Sequence, residues 1–392
     1  MSVRKKIVTT KGGEEVTWWI ADYSDGNGDR HQRRFPTKRE AVAFLEPIKV
    51  AVRAGTHVSL PSDLTMADAA DKWLARLEAK GRERGTLKTC REHINIHILP
   101  RLGSALKLAK LTKHQVENFC DGLLSGVKHK GSDGKEQILH KALSRPTAHK
   151  VLVSLKAILK VNGCKHLADD VSITVSKRDR PKLEVGRDIP TPKEVSRLVN
   201  AATGRVRVLL MMAASTGLRA SELRGLRWSD VDLKSSEPEL HVRQRADAWK
   251  VIGAPKSDGS RRKLPLAHDL VVALKKWFLE CPKGEADLVF PAANGAVVHH
   301  KVMLEDVFKV MRAAHVVTKG GRPKYGLHGF RHFFASWCIN AESKGGRELP
   351  AKEVQSLLGH SSIVMTLDRY GHLFPSGSDR AELNRSASAL FG

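Results

Sequence analysis

Residues 65–165 carry helical signals along almost their whole length, and this run constrains the fold more than any other feature of the sequence. Thr65 and Thr112 are placed as N-terminal helix caps, and Thr147 opens a third helical stretch. Apolar residues follow each of them at intervals of three and four, which marks one buried face per helix. The polar stretch GVKHKGSDGKEQ at 126–137 is expected to be a loop. We therefore predict a helix bundle.

The first 58 residues differ from this bundle in composition and are predicted to form a small α+β unit, 1–58. The stretch VTWWIADY at 16–23 is rich in aromatic and β-branched residues, as strands are, and RHQRRF at 30–35 suits a returning strand. Thr37 and Glu40 then form the capping-box pattern of a helix.

A charged, proline-containing connector within 166–190 separates the bundle from the remainder, 191–392. Thr191 followed by Pro192 is a strong helix start, strands are expected around 239–266, and helical patterns continue to the end. The predicted fold is therefore multidomain and mainly α with small β-sheets, and its C-terminal domain is mostly helical with a small antiparallel sheet.

The charge balance indicates the kind of partner. The chain has 67 Lys and Arg against 42 Asp and Glu, a net charge of +25. Solubility alone needs a net charge of only about 2–8 in a small domain. Basic stretches recur at 31–40 and 260–266, so a polyanion that contacts several domains, most simply nucleic acid, is the better interpretation.

Other classes of protein fit the sequence poorly. The five cysteines are scattered without C-x-x-C spacing, and no H-E-x-x-H pattern occurs, so neither a disulfide framework nor a metal site is expected. No apolar run approaches the ~18 residues of a membrane span, and the N-terminus lacks the apolar middle of a secretory signal. We expect a cytoplasmic protein without cofactor or metal.

Two motifs place cationic side chains beside apolar helices. Arg219 follows Thr216-Gly217, where one apolar helix ends and the next begins, and its guanidinium suits bidentate binding of phosphate. His328 and Arg331 lie one turn apart, opposite an aromatic stripe in the same helix. Alone, an arginine placed like Arg219 is more often a surface residue, and H-x-x-R is a weak signal that also suits a solvated helix face.

Two further segments complete the candidate set. Lys256 lies near the turn of a predicted hairpin at 242–266, where a lysine can protonate a leaving group, although Lys250 and Lys263 are nearby alternatives. Gly359 is the expected stop of a helix, and Tyr370 ends the helix after it. Judged locally, this tyrosine is more typical of a core position than of a nucleophile.

Taken together and in order, these motifs resemble the tyrosine recombinases, the phage-integrase family of site-specific DNA recombinases. The resemblance is carried by T-G-L-R-x-S-E-L at 216–223, H-x-x-R at 328–331, L-G-H-S-S at 358–362 and the tyrosine before G-H at 370–372. Each motif is weak singly, but the ordered set is highly specific. The family's catalytic residues correspond to Arg219, Lys256, His328, Arg331, His360 and Tyr370.

The resemblance implies that Tyr370 attacks the scissile phosphate and forms a 3′-phosphotyrosyl link. It also implies that Arg219 and Arg331 hold the non-bridging oxygens of that phosphate. Lys256 would be the general acid for the 5′ oxygen. His328 and His360 would supply hydrogen bonds and handle protons.

Neighbouring imidazoles leave the proton donors open. His332 and His372 are further histidines of this region, and the resemblance assigns them no role. An additional polar stretch at 340–350 is expected to be a loop insertion.

The resemblance further implies partners and domain roles. The partners would be double-stranded DNA attachment sites, bound by a homotetramer on two duplexes, with accessory DNA-bending or directionality proteins, near the nucleoid of a bacterial host. Residues 1–58 would bind arm-type DNA, 65–165 core DNA, and 191–392 would be catalytic, with a tail at 377–391 that docks on a neighbouring protomer. The alternatives are a type IB-like topoisomerase and a DNA-binding protein that does not cut.

Overall fold

The computed structural model describes residues 1–9, 15–24, 30–53, 63–130, 136–176, 179, 181–255, 258–374, 384, 387–389 and 391. The chain forms two compact units, Met1–Pro181 and Lys182–Gly392. Their boundary lies inside the connector 166–190. The predicted tail segment 377–391 lies almost entirely outside the described residues.

The first unit begins with a three-stranded antiparallel sheet in the order β1-β2-β3. One helix, α1, packs on it and buries Ala21, Tyr23 and Leu45. The strand β1 was not predicted, because its basic residues hide the alternation. The elements are β1 (Ser2–Thr9), β2 (Glu15–Ser24), β3 (Arg30–Phe35) and α1 (Lys38–Arg53).

The rest of the first unit is helical around its own apolar core. Thr65 and Thr112 cap their helices as expected, and each does so within a capping box. A π-helical segment, His93–Ile98, joins α3 to α4. The helices are α2 (Met66–Ala79), α3 (Arg84–Glu92), α4 (Leu99–Leu102), α5 (Lys113–Ser125) and α6 (Arg145–Val161).

Two local predictions in this region were wrong. The polar stretch 126–137 is not simply a loop, because β4 (Val127–Lys130) pairs antiparallel with β5 (Glu136–His140). The third helix begins at Arg145, with Ser144 as N-cap, and not at Thr147. A proline in the first turn, where the missing N–H is no loss, favours this earlier start.

The second unit is mainly helical, with a small antiparallel sheet in the order β10-β7-β6 and a two-stranded pair β8-β9. Its elements are α7 (Pro192–Ala201), α8 (Gly204–Thr216), α9 (Ala220–Gly225), β6 (Val231–Asp232), β7 (Glu239–Val242), β8 (Arg245–Ala246), β9 (Ile252–Gly253), β10 (Arg262–Pro265), α10 (His268–Glu280), α11 (His300–Ala313), α12 (Leu327–Ile339), α13 (Ala351–Leu358) and α14 (Ile363–Tyr370).

The helix α12 lies in the interior of this unit, where it contacts α8 and α13. Its aromatic stripe is buried at Phe330 and Phe334, as the periodicity predicts. The opposite side is not simply a solvated face: His328 is exposed there, but Arg331 is only 2% exposed. Helix α12 therefore carries a guanidinium into the protein interior. No helix among the described residues is long and apolar enough to cross a membrane.

Candidate active site

The turn between α8 and α9 sets the position of Arg219. Helix α8 ends at Gly217, which has a left-handed φ of 60°. A Cβ atom at this glycine would clash with the ring of Phe334, so only glycine allows the turn to pack against α12. Arg219 then starts α9, and its Nη2 donates a hydrogen bond to the carbonyl of Gly359, 3.1 Å away.

A buried carboxylate, Glu222, holds two arginines in this turn. It is 3% exposed, and its Oε1 accepts a hydrogen bond from Nη1 of Arg219 at 2.7 Å. Its Oε2 accepts one from Nη2 of Arg262 at 2.9 Å. Burial alone would raise the pKa of Glu222, but the charges and hydrogen bonds of Arg262 and Arg219 outweigh it and lower that pKa. The carboxylate is therefore ionised and fixes both guanidiniums.

The guanidinium of Arg331 joins two turns, one in the T-G-L-R motif at 216–223 and one in the L-G-H-S-S motif at 358–362. Its Nη1 donates to the carbonyl of Gly217 at 2.8 Å, and its Nη2 donates to the carbonyl of Leu358 at 2.5 Å. Burial, together with the charges of Arg219 and Arg262, lowers its pKa to about 9, so it remains a cation at neutral pH. Its two carbonyl partners replace the water that burial removes.

Four rings form a row beside these arginines. The ring of His328 lies 4.5 Å from that of His332, and the ring of His332 lies 5.7 Å from that of Tyr370. The ring of His360 stacks on Tyr370 at 6.5 Å with an interplanar angle of 5°. Nδ1 of His360 is hydrogen-bonded to Thr366 Oγ1 at 2.9 Å.

The histidines of this row are neutral at physiological pH. His328 has solvent access on one side, yet the surrounding protein and the charges of Arg331, Arg369 and Arg219 lower its pKa to about 4. Burial and the same kind of cationic field lower the pKa of His360 to about 4. In a pocket that already contains several guanidiniums, a further positive charge is unfavourable.

Tyr370 lies at the end of α14 and is 1% exposed, which confirms the local expectation of a buried position. Burial raises the pKa of its phenol to about 12, although the charges of Arg331, Arg369 and Arg219 act in the opposite direction. Leu367, one turn earlier in α14, is 45% exposed. The helix therefore inserts the tyrosine, rather than a whole apolar face, beside the cationic pocket.

Lys256 lies outside the described residues, so its place relative to the pocket stays a prediction. Gly259, three residues after it, lies against the L-G-H-S-S motif at 358–362. Its carbonyl is close to Gly359, and Ser361 is also adjacent to it. Of the two alternatives, Lys263 donates to Glu239 at 2.8 Å, while Lys250 has a left-handed φ of 67°.

The structure thus brings five of the six candidate residues together: Arg219, His328, Arg331, His360 and Tyr370. It adds Glu222, Arg262 and His332, which the sequence analysis did not select. Glu222 stands three residues after Arg219, the spacing of a capping box, and this was the available signal. Arg262 was hidden in a basic stretch, and nothing in the sequence singles it out.

Comparisons with known proteins agree with this geometry. The model of the phage integrase family matches residues 190–376. A tyrosine recombinase XerC-like protein of Caldanaerobacter subterraneus subsp. tengcongensis is 25% identical over 96% of this chain and 97% of its own.

Solved structures share the fold. The Tn1549 transposon integrase in complex with transposon right-end DNA has a TM-score of 0.58 at 19% identity, over 83% of this chain and 100% of that chain. A lambda integrase tetramer bound to a Holliday junction has a TM-score of 0.55 at 16% identity, over 96% and 97%. With its motifs in the family's order and its relatives matching along nearly the whole sequence, the chain belongs to the phage integrase family of tyrosine recombinases.

Proposed function

We propose that the chain is the integrase of a phage or another mobile element and that it cuts and rejoins DNA through a 3′-phosphotyrosyl intermediate on Tyr370. The observation that carries this proposal is the burial of one phenol in a row of neutral histidines beside Arg219 and Arg331. A phosphodiester has two non-bridging oxygens, which need cationic hydrogen-bond donors. This pocket holds such donors in place before DNA binds.

In the cleavage step, the Tyr370 oxygen forms a bond to phosphorus, and the bond between phosphorus and the 5′ oxygen breaks. The phenolic proton passes to a free ring nitrogen of the neutral histidines His328 and His360, and the 5′ oxygen gains a proton to become a hydroxyl. We assign this second proton to Lys256, because the residues that follow it pack against Gly359 and Ser361 beside the pocket.

Arg219 and Arg331 have donors left for the phosphate. A guanidinium has five N–H groups, and the hydrogen bonds described above use two in each side chain. The groups in use hold the two guanidiniums in place, on Glu222 and on the carbonyls of the two turns. Because this scaffold is rigid, little reorganisation is needed as charge develops on the phosphate oxygens in the transition state.

His328 and His360 act as hydrogen-bond donors and proton carriers in this scheme. A neutral imidazole has one N–H and one free nitrogen, so it can donate to a phosphate oxygen without adding to the crowded positive charge. Rejoining reverses the step: a 5′ hydroxyl attacks phosphorus and the phenol leaves. The tyrosyl ester preserves the phosphodiester bond for transfer to a second strand.

The partners we propose are double-stranded attachment sites and three further copies of the chain, which form a homotetramer on two duplexes. The net charge of +25 supports a polyanionic partner, and the lambda integrase tetramer on a Holliday junction supports the assembly. Residues 1–58 would bind arm-type DNA, 65–165 core DNA, and 191–392 would carry out catalysis. Accessory DNA-bending or directionality proteins would assist, in the cytoplasm of a bacterial host, at the nucleoid.

Covalent capture tests this proposal. Nicked fragments of the DNA that flanks the gene are incubated with the wild type and with Tyr370→Phe in the presence of EDTA, then denatured and separated. We expect a protease-sensitive adduct from the wild type alone. An adduct that persists in Tyr370→Phe would refute the assignment of the nucleophile. Tight specific binding without any adduct, in the presence of host extract, would indicate a DNA-binding protein that does not cut. Relaxation of DNA without sequence-dependent exchange would indicate a topoisomerase.

A further inference from the structure

The phenol of Tyr370 has one side-chain hydrogen bond among the described residues, and its partner is His332. Nδ1 of His332 lies 2.7 Å from the Tyr370 oxygen. Both side chains are buried, at 6% and 1% exposure. The mechanism above uses the tyrosine but assigns nothing to this histidine. A buried hydrogen bond of this length restrains the atom that has to attack phosphorus.

The direction of this hydrogen bond follows from the charges around it. Burial, the adjacent ring of His328 and the charges of Arg369 and Arg331 lower the pKa of His332 to about 3, with Asp188 acting weakly in the other direction. Its ring is therefore neutral, while the phenol of Tyr370 is protonated. The phenol donates to Nδ1, so the ring hydrogen of His332 is on Nε2.

We propose that His332 is the positioning residue of the cleavage step: by accepting the hydrogen bond of Tyr370 at Nδ1, it fixes the attacking oxygen relative to Arg331 and the scissile phosphate. The inference rests on the proposed role of Tyr370 as nucleophile. His332 follows Arg331 directly in α12, so the helix that presents the phosphate-binding guanidinium also orients the nucleophile.

His332 acts on the orientation of the phenol rather than as its base. A proton on this ring would face the guanidiniums of Arg331 and Arg369 in a buried site, which makes the imidazolium unfavourable. A tyrosine side chain otherwise has freedom about two torsions, and a displacement of about 1 Å at a reacting atom slows a reaction by roughly 100-fold. Removal of the acceptor should thus slow attack by Tyr370 and leave the phosphate pocket intact.

The first test compares three substitutions of His332 in the full chain. Asparagine places its oxygen near the position of Nδ1, glutamine places its polar group farther out, and leucine has no acceptor. We expect adduct formation to slow by about 10- to 100-fold in His332→Leu, and least in His332→Asn. His372→Leu is the matched control, because Nε2 of His372 bonds the carbonyl of Leu183 instead of the tyrosine.

The second test separates orientation of the tyrosine from damage to the pocket. A DNA strand that ends in a 3′-p-nitrophenyl phosphate can be joined to a 5′ hydroxyl without Tyr370, because nitrophenolate is a good leaving group. In a Tyr370→Phe background, His332→Leu should leave this joining rate unchanged. A merely structural role for His332 would slow joining as much as cleavage, and this result would overturn the proposal.

Three other outcomes of these tests also decide whether His332 positions Tyr370. Adduct formation at the wild-type rate, or faster, in His332→Leu would refute positioning while the Tyr370-dependent adduct of the wild type still supports the proposed function. An adduct that survives in Tyr370→Phe would refute Tyr370 as the nucleophile, and this inference with it. If thermal unfolding shows that His332→Leu does not fold, the comparison of His332→Asn with His332→Gln decides: equal rates in the two overturn the proposal.

Discussion

Two buried tyrosines of the second unit, Tyr325 and Tyr370, have opposite electrostatic surroundings. The hydroxyl of Tyr325, which is 4% exposed, donates to Oε2 of Glu194 at 2.9 Å. Burial and this carboxylate together raise its pKa. The hydroxyl of Tyr370 bonds a neutral imidazole in a field of arginines, which opposes the effect of burial.

The difference shows what separates a structural tyrosine from a candidate nucleophile. Burial and a hydrogen bond are common to both, so neither identifies a reactive phenol. The sign of the surrounding charge does, because a tyrosinate or a bound phosphate is repelled by Glu194 and stabilised by Arg331. Glu194 in turn closes the capping box with Thr191 and accepts a hydrogen bond from Lys324 at 2.7 Å, which ties α7 to the segment that precedes α12.

The largest contrast is expected from removal of the two hydroxyls. Tyr370→Phe should abolish the covalent adduct while sequence-specific DNA binding is retained. Tyr325→Phe should form the adduct at the wild-type rate, but it leaves Glu194 without one of its donors and should lower the free energy of unfolding by about 1–3 kcal/mol. Gel assays of the adduct and urea unfolding measure the two effects. If Tyr325→Phe bound the DNA fully but formed no adduct, Tyr325 could not be called purely structural, and the distinction between the two tyrosines would be lost.

A second contrast compares Lys256, the proposed general acid of cleavage by Tyr370, with Lys324, which bonds the carboxylate beside Tyr325. Lys256→Ala should slow cleavage by about 100- to 10,000-fold, the range expected for loss of a general acid. A substrate with sulfur at the 5′ bridging position should restore the rate, because a thiolate leaves without a proton. Lys324→Ala should cleave normally and be less stable, since it removes a partner of Glu194.

The substrates with oxygen and with sulfur at the 5′ bridging position also test Lys250 and Lys263, the two alternatives to Lys256 as general acid. Lys250→Ala and Lys263→Ala should both cleave at close to the wild-type rate with the oxygen substrate. If either of them, and not Lys256→Ala, were rescued by sulfur, the general acid would be reassigned to it.

A third contrast compares the two buried carboxylates. Glu222→Gln removes the charge shared by Arg219 and Arg262 and should slow cleavage by about 10- to 100-fold through misplaced guanidiniums. It should also lower stability by about 3–5 kcal/mol, because the Arg262 charge is left buried without its partner. Glu194→Gln should affect stability alone. Equal cleavage rates in the two variants would show that Glu222 does not orient Arg219.

Much of this comparison could be predicted from the sequence, because caps and stops are local. The helix start at Thr191, where Glu194 closes the capping box, and the stop at Gly359 both depend on residues within a few positions of one another. The same holds for Arg219 at the turn between two helices. The ordered motifs then identified the family before any contact was visible.

Contacts between distant segments were not predictable in the same way. A period of 3.6 places His328 and Arg331 opposite an aromatic stripe, but it does not reveal whether solvent or another segment covers that side. The carbonyls of Gly217 and Leu358 cover Arg331, and they are far from it in sequence. The pairing of His332 with Tyr370 is equally non-local. The hairpin in 126–137 was missed because its polar composition matches a loop.

The smallest expected effect is a difference in acid stability between the two tyrosine regions. His328, His332 and His360 have folded pKa values of about 4, 3 and 4, below the ordinary value near 6.5. Below pH ~6.5 the unfolded chain binds more protons than the folded one, so the stability these groups contribute falls as the pH drops from about 6.5 towards those values. For the buried His332 the slope is at most about 1.4 kcal/mol per pH unit.

The carboxylate beside Tyr325 titrates in a lower window. The pKa of Glu194 is lowered from 4.5 to about 2: burial opposes this shift, and hydrogen bonds from Lys324, Thr191 and Tyr325 outweigh it. Its contribution to stability is therefore present above pH ~4.5 and is lost as the pH falls towards ~2. The free energy of unfolding, measured in urea between pH ~7 and ~3, should depend less on pH than in the wild type. In His332→Asn the difference should appear above pH ~4.5, and in Glu194→Gln it should appear below pH ~4.5. If His332→Asn kept the wild-type slope above pH ~4.5, the pKa of the imidazole beside Tyr370 would not be lowered by its surroundings, and the electrostatic argument for its role as a neutral acceptor would fail.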